Sequence, residues 1–95
     1  MKLFYHPEIA GEFDGATDYY ESKQVGLGLR FRLAFDYAIS RILETPLGHR
    51  IIAKGTRRCT LRRFPYAIYF RVEPDGVYIV VLRHHRQHPA YGMER

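Results

Sequence analysis

The hydrophobic period changes once along this chain, and that change constrains the fold more than any other feature. Up to Leu43 apolar residues recur at helical spacing, and from Arg57 onward they alternate in twos. Ile9, Phe13, Ala16 and Tyr20 fall at i, i+4, i+7 and i+11, one face of an amphipathic helix. Pro7 suits the first helical position, where its missing N–H goes unneeded, and Glu8 and Glu12 place negative charge at the positive end of the helix dipole. Gly11 and Gly15 each cost about 1 kcal/mol relative to alanine, so this helix must lean on tertiary packing. Gly26 and Gly28 open a second helical pattern. Its apolar stripe is Leu27, Phe31, Ala34, Phe35, Ala38 and Ile42, widened by Ile39 and Leu43. Thr45 precedes Pro46, and the residue before a proline is pushed out of the helical region, so the helix stops there. A short glycine-bearing turn between the two helices makes a hairpin.

The remainder reads as strands. Lys2–Tyr5 is a short apolar run, and Pro46–Gly55 is a connector with a short extended piece at Ile51–Ala53. Arg57–Arg63 alternates Arg58, Thr60 and Arg62 with Cys59 and Leu61 before Phe64–Pro65 breaks it. Tyr66–Val72 alternates Tyr66, Ile68, Phe70 and Val72 with Ala67, Tyr69 and Arg71. Pro74-Asp75-Gly76 is a turn by its chemistry. Val77–His84 is nearly continuous in apolar residues, as expected of a central strand covered on both faces. Ala90–Arg95 is a tail too short to classify.

These patterns predict one α+β domain over residues 1–95, with order β-α-α-β-β-β and a two-helix hairpin packed on one face of a small antiparallel sheet. The opposite face is expected to be open, and to present Arg58, Arg62, Tyr69 and Arg71 as a basic, aromatic-bearing surface for a partner. Charge supports an anionic partner. Residues 1–48 hold five Lys/Arg against seven Asp/Glu, whereas residues 49–95 hold ten against three, so the halves carry −2 and +7.

Composition excludes several classes. Hydrophobic content of 46% and aromatic content of 15% do not belong to a disordered chain. Cys59 is the only cysteine, so no intrachain disulfide forms, which suits a reducing cytoplasm. Its strand-type neighbours suggest a small core residue rather than a nucleophile. The opening residues MKLFYHPE carry no long apolar run, and Val77–Leu82 is far too short to cross a bilayer, so a cytoplasmic protein without membrane contact is expected. His84, His85 and His88 do not make a metal site by pattern, because consecutive strand residues point to opposite faces. Neither metal, cofactor nor small-molecule substrate is expected.

Four stretches resemble the RelE/ParE superfamily of toxins from type II toxin–antitoxin systems, its ParE-like, plasmid-stabilisation branch in particular. Ala16–Glu21 reads A-T-D-Y-Y-E, like the family's alanine-rich segment ending in Tyr-Tyr-Glu. Gly26–Phe31 reads G-L-G-L-R-F, like its Gly-x-Gly-x-x-Phe opening. Arg62–Phe70 reads R-R-F-P-Y-A-I-Y-F, close to Arg-x-Phe-Pro-Tyr-x-Ile-x-Tyr. His84–Tyr91 reads H-H-R-Q-H-P-A-Y, similar to His-x-x-Arg-x-Pro-x-Tyr-Trp. The chain departs from that ending at Gln87, where arginine is usual, and at Gly92, where tryptophan is usual.

The resemblance implies a growth-inhibiting toxin neutralised by a cognate antitoxin. Its target would be DNA gyrase, as for ParE-like relatives, or the ribosome and its messenger RNA, as for RelE-like ones. A non-toxic basic interaction module is the third alternative. RNA cleavage would require a base, a cation for the phosphate and an acid for the leaving oxygen. The candidates are Arg62, Arg83 and Arg86 for phosphate, His84 or His85 for proton transfer, and Tyr91 for stacking. Arginine does not deprotonate in proteins and cannot be the base, and Lys54 is the only lysine of the second half. Arg62 and Arg63 more commonly flank a strand in solvent, whereas Arg83 and Arg86 are expected at an exposed strand end beside Tyr91. Tyr19, Tyr20, Phe31 and Phe35 at helical spacing read as core.

Overall fold

The computed structural model describes residues 1–95. Strand β1 (Leu3–Tyr5) leads into helices α1 (Ile9–Lys23) and α2 (Leu27–Glu44). A single 3₁₀ turn (Pro46–Gly48) then precedes β2 (Arg50–Ala53), β3 (Thr56–Thr60), β4 (Tyr66–Glu73) and β5 (Gly76–His84). The strands form one sheet in the order β1-β5-β4-β3-β2.

The expected plan holds with three corrections. The sheet is mixed rather than antiparallel, because β1 pairs parallel with β5, Leu3 opposite Val77 and Tyr5 opposite Ile79. A parallel pair needs a long crossover, and the whole of α1 through β4 lies between these two strands. The connector also contains a full strand, β2, so the order is β-α-α-β-β-β-β. Its hairpin to β3 turns through Lys54 (φ +29°) and Gly55 (φ +80°), the two-residue geometry usually announced by Asn-Gly. Lysine in the first position hid it. β3 also ends at Thr60, three residues short of the predicted Arg63.

The helices pack on one face of the sheet. Phe31, Ile42, Ile68, Phe70, Ile79 and Leu82 are fully buried there, each side chain stabilising the fold by about 2–3 kcal/mol. Tyr19 is the exception among the aromatic residues read as core: it is exposed, with the Lys23 ammonium 5.1 Å from its ring centre.

Two resembling stretches lock the hairpin. Glu21, ending the Tyr-Tyr-Glu run, accepts the backbone N–H of Gly26 at 3.0 Å and of Gly28 at 3.0 Å. A carboxylate from α1 thus serves the unsatisfied donors at the start of α2 and meets the positive end of its dipole. Tyr20 stacks on Phe31 (5.4 Å between centres), and Phe64 and Tyr66 of the Phe-Pro-Tyr turn close edge-on over the same pair. These motifs build structure before they do anything else.

Candidate functional site

On the sheet face away from the helices, Arg58 stands opposite Tyr69, and Thr56 opposite Arg71. Arg50 pairs with Arg58, extending the basic row to the sheet edge. Arg58, Tyr69 and Arg71 therefore share a face as expected. Arg62 does not. It lies past the end of β3, and its guanidinium sits 4.3 Å from the centre of the Tyr37 ring on α2. β3 ends early, so the alternation that would have aimed Arg62 at the sheet face no longer applies.

Nor is that face open. Val80 is an extra residue in β5, opposite the Tyr69–Phe70 step of β4, and this bulge changes the phase of the strand. Val77, Ile79 and Leu82 face the helices, whereas Val80 and Val81 join Ala67 and Tyr69 in a second apolar cluster on the opposite face. The segment from Pro89 to Arg95 folds over that cluster, with Met93 packed against it. The Cα of Gly92 lies so near Val81 that a Cβ there would come within 2.5 Å of the valine Cγ2, at a φ of +76° that only glycine adopts freely. The departure from the family ending at Gly92 is thus what lets this tail lie flat.

Polar contacts tie the tail down. Arg83, expected at an exposed strand end, is only 9% exposed. The bulge turns it beneath the tail, where its guanidinium lies over the Tyr69 ring (4.2 Å) and donates to the Tyr69 hydroxyl at 2.7 Å. It also donates to the carbonyls of Pro89 and Tyr91. Arg71 donates to the carbonyl of Arg95 at 3.1 Å.

The largest polar cluster was missed in the sequence. Glu12 pairs with the Arg95 guanidinium at 2.8 Å, accepts the Tyr91 hydroxyl at 2.5 Å, and accepts the backbone N–H of Leu82 at 3.1 Å. Arg95 in turn donates to the carbonyl of Val80 at 3.1 Å. β1 ends at Tyr5, so Val80 and Leu82 lie on a stretch of β5 edge with no neighbouring strand, and this ion pair satisfies the edge in a strand's place. The hydrogen bond to Glu12 pushes the Tyr91 hydroxyl above the usual tyrosine range, with burial adding to it. The same carboxylate, as hydrogen-bond acceptor, raises the Arg95 guanidinium.

Of the remaining candidates, His84 lines one open pocket with Glu12, Gln87 and Tyr91. The His84 Nδ1 accepts the Arg86 backbone N–H at 2.9 Å, and its ring meets Tyr66 edge-on at 5.0 Å. Gln87 accepts the His84 backbone N–H at 2.9 Å. Arg86 and His85 are exposed in the turn that follows β5. Cys59 is buried, and burial raises its thiol. No helix is long and apolar enough to cross a membrane.

A second surface is open. Leu29, Leu33 and Tyr37 follow one another every fourth residue on the outer side of α2, with exposures of 61, 59 and 42%, and Val25 in the preceding turn is 91% exposed. Beside them runs a groove walled by Tyr20, Leu27, Phe64 and Pro65, with Arg30, Arg62 and Arg63 at its rim.

A two-helix hairpin on one face of a five-stranded mixed sheet is an α+β architecture found among toxin–antitoxin proteins of known structure. The family model described as the ParE toxin of the type II toxin–antitoxin system parDE matches residues 3–89, and the chain belongs to that family. Among solved structures, a chain of the chromosomal ParDE toxin–antitoxin system from P. aeruginosa has a similar fold. Its TM-score is 0.65 at 20% identity, over 88% of this chain and 95% of that one. No curated protein matches the sequence. Residues 90–95, which carry Tyr91, Gly92 and Arg95, lie beyond the family match.

Proposed function

We propose that this chain is the toxin of an antitoxin–toxin pair, kept inactive by a cognate antitoxin, and that the free toxin acts by binding DNA gyrase without bond-breaking chemistry of its own. The carrying observation is the state of Arg83. Its guanidinium is engaged by Tyr69 and two tail carbonyls, so it has no donor directed to a scissile phosphate. Of the other groups that RNA cleavage would enlist, His84 and Tyr91 line one pocket beside Glu8 and Glu12 with no arginine among its walls, while Arg62 lies against α2 and Arg86 in a solvent turn. Nucleophile, base and charge stabiliser must converge within about 3 Å of one reacting atom, and this set does not. Membership of the ParE family points the same way. Arg50 and Arg58 are the cations offered to the acidic surface of the target, and no carboxylate of the chain pairs with them, whereas Arg71 is engaged by the tail.

Controlled expression in a bacterial host tests the reading. An SOS reporter should switch on while amino-acid incorporation continues, and purified chain should trap gyrase in cleaved complexes with DNA. Immediate arrest of translation with cut transcripts would instead support the endoribonuclease. Normal growth would support a non-toxic interaction module.

A further inference from the structure

The corner of the sheet where β1 meets β5 holds a cavity that the toxin reading does not use. Phe4 and Tyr78 stand opposite each other in this parallel pair and stack, their ring centres 4.6 Å apart and their planes 16° from parallel. Glycine at position 76 permits the arrangement, because a Cβ there would collide with the Lys2 carbonyl and come within 3.0 Å of the Phe4 ring. Beside the stacked pair lies a space of about 320 Å³, lined by Phe4, Tyr5, Tyr78, Val80, Arg71 and Arg95. That is enough for a small ligand, whose sites begin at roughly 300 Å³. A cross-strand aromatic pair stabilises a sheet edge by itself, which explains the stack but not the cationic hollow next to it.

The hollow has two arginines in its walls and no carboxylate. Arg95 is held in place: it pairs with Glu12 and donates to the Val80 carbonyl and the Tyr91 hydroxyl. A planar cation fixed in this way loses little freedom when a flat ring stacks on it. Arg71 gives its Nη2 to the Arg95 carbonyl and takes part in no ion pair, so its other N–H groups are available to an anion. His6 adds a polar contact: its Nδ1 accepts the Glu8 backbone N–H, which leaves Nε2 for a ligand. Glu73 and Asp75 line a separate hollow at the β4–β5 turn, where Asp75 accepts the Tyr78 hydroxyl. Stacked rings, a fixed planar cation and a second cation with spare donors describe a flat ring that carries negative charge.

We infer that this cavity binds a nucleobase bearing a phosphate, the base against the Phe4–Tyr78 pair and the phosphate on Arg71. A free nucleotide and a base turned out of a nucleic-acid strand present the same chemistry here. An aromatic side chain flanked by acidic residues fits less well, because a phenyl ring has no polar edge for His6 Nε2. The site lies apart from Arg50 and Arg58 and does not depend on which target the toxin meets. One of its walls, Arg95, lies beyond the residues matched by the family model, so the cavity is a feature of this chain rather than of that match.

Amide chemical shifts of the isotope-labelled full chain test the inference, with adenosine 5′-monophosphate and ribose 5-phosphate as probes. The nucleotide should shift Phe4, Tyr78 and Val80 saturably, and ribose 5-phosphate should bind at least about tenfold more weakly, since it lacks the stacking base. Tyr78→Leu keeps apolar bulk but removes stacking, and should weaken the nucleotide by about tenfold while leaving ribose 5-phosphate unchanged. Arg71→Gln should weaken both probes and flatten the salt dependence. A short 5′-phosphorylated oligothymidylate separates the sources. Tighter binding than the mononucleotide assigns the cavity to a strand, and weaker binding assigns it to a free nucleotide. Equal binding of the nucleotide and ribose 5-phosphate would reduce the site to charge alone and overturn the inference. So would the absence of saturable shifts with either nucleotide probe, or an acetylated Asp-Phe-Asp peptide that displaces the nucleotide and binds more tightly. If Tyr78→Leu does not fold, the comparison of the two probes on the wild-type chain decides by itself.

Discussion

The two outward faces of this small domain are treated in opposite ways. The sheet surface away from the helices carries Val80, Val81 and Tyr69 and is closed by the chain's own tail, with Arg83 and the Glu12–Arg95 pair as fasteners. The outer side of α2 carries Leu29, Leu33 and Tyr37, and no apolar segment of the chain covers it. Both are apolar surfaces edged with arginine. On the sheet every guanidinium beneath the tail is matched by a carbonyl, a hydroxyl or a carboxylate; on the helix the rim arginines have no acidic partner. An apolar patch whose polar edge is satisfied internally is part of the core. One whose edge is left unsatisfied is open to a partner.

Substitutions should separate the two accordingly. Arg83→Ala strands the Tyr69 hydroxyl and two carbonyls beneath the tail, and should cost about 3 kcal/mol in urea unfolding. Arg83→Lys should recover only part, since an ammonium cannot lie over the ring and reach both sides. Such a loss would mark Arg83 as a buried fastener and not the residue of an exposed strand end that the sequence led us to expect. Gly92→Ala forces either a clash with Val81 or a lifted tail and should cost about 1–2 kcal/mol, with faster hydrogen exchange at the Leu82 amide as the local readout.

Tyr91 yields a pH prediction. Its hydroxyl proton is held more tightly folded than unfolded, so the stabilisation is complete below the unfolded tyrosine value of about 10 and is lost as pH rises through the higher folded value. Melting temperatures should fall more steeply above pH 10 in the wild type than in Tyr91→Phe. Parallel curves would show that the hydroxyl is not held by Glu12. The smallest effect is expected on the helix: Leu33→Ser should shift stability by less than about 0.5 kcal/mol, because that side chain buries little in the monomer.

Much of the scaffold was legible because its signals are local and periodic. Phe31, Phe35, Ala38 and Ile42 occupy the buried side of α2 where the 3.6 period puts them, and Pro74-Asp75-Gly76 turns where its chemistry says. The candidate site was far less legible. The bulge at Val80 leaves no local mark, yet it decides that Val81 and Arg83 turn away from the helices although Val77 and Ile79 face them. The contact between Glu12 and Arg95 joins residues from opposite ends of the chain, so no window of sequence contains both. One clue was present: a strand apolar on both faces needs a cover on each, and only residues after His84 remained to supply it. The ridge on α2 was likewise readable as the apolar residues left over once the buried stripe had been assigned.

Thiol labelling offers the most direct test of this asymmetry, since native Cys59 is buried and should stay silent. Cysteine placed at Leu33 should react with a water-soluble disulfide reagent as fast as an unstructured thiol, and cysteine placed at Val81 at least about a hundredfold more slowly, reporting a tail that opens rarely. Equal rates at the two positions would mean that the tail does not close the sheet, and the distinction between a sealed face and a receptive one would fall.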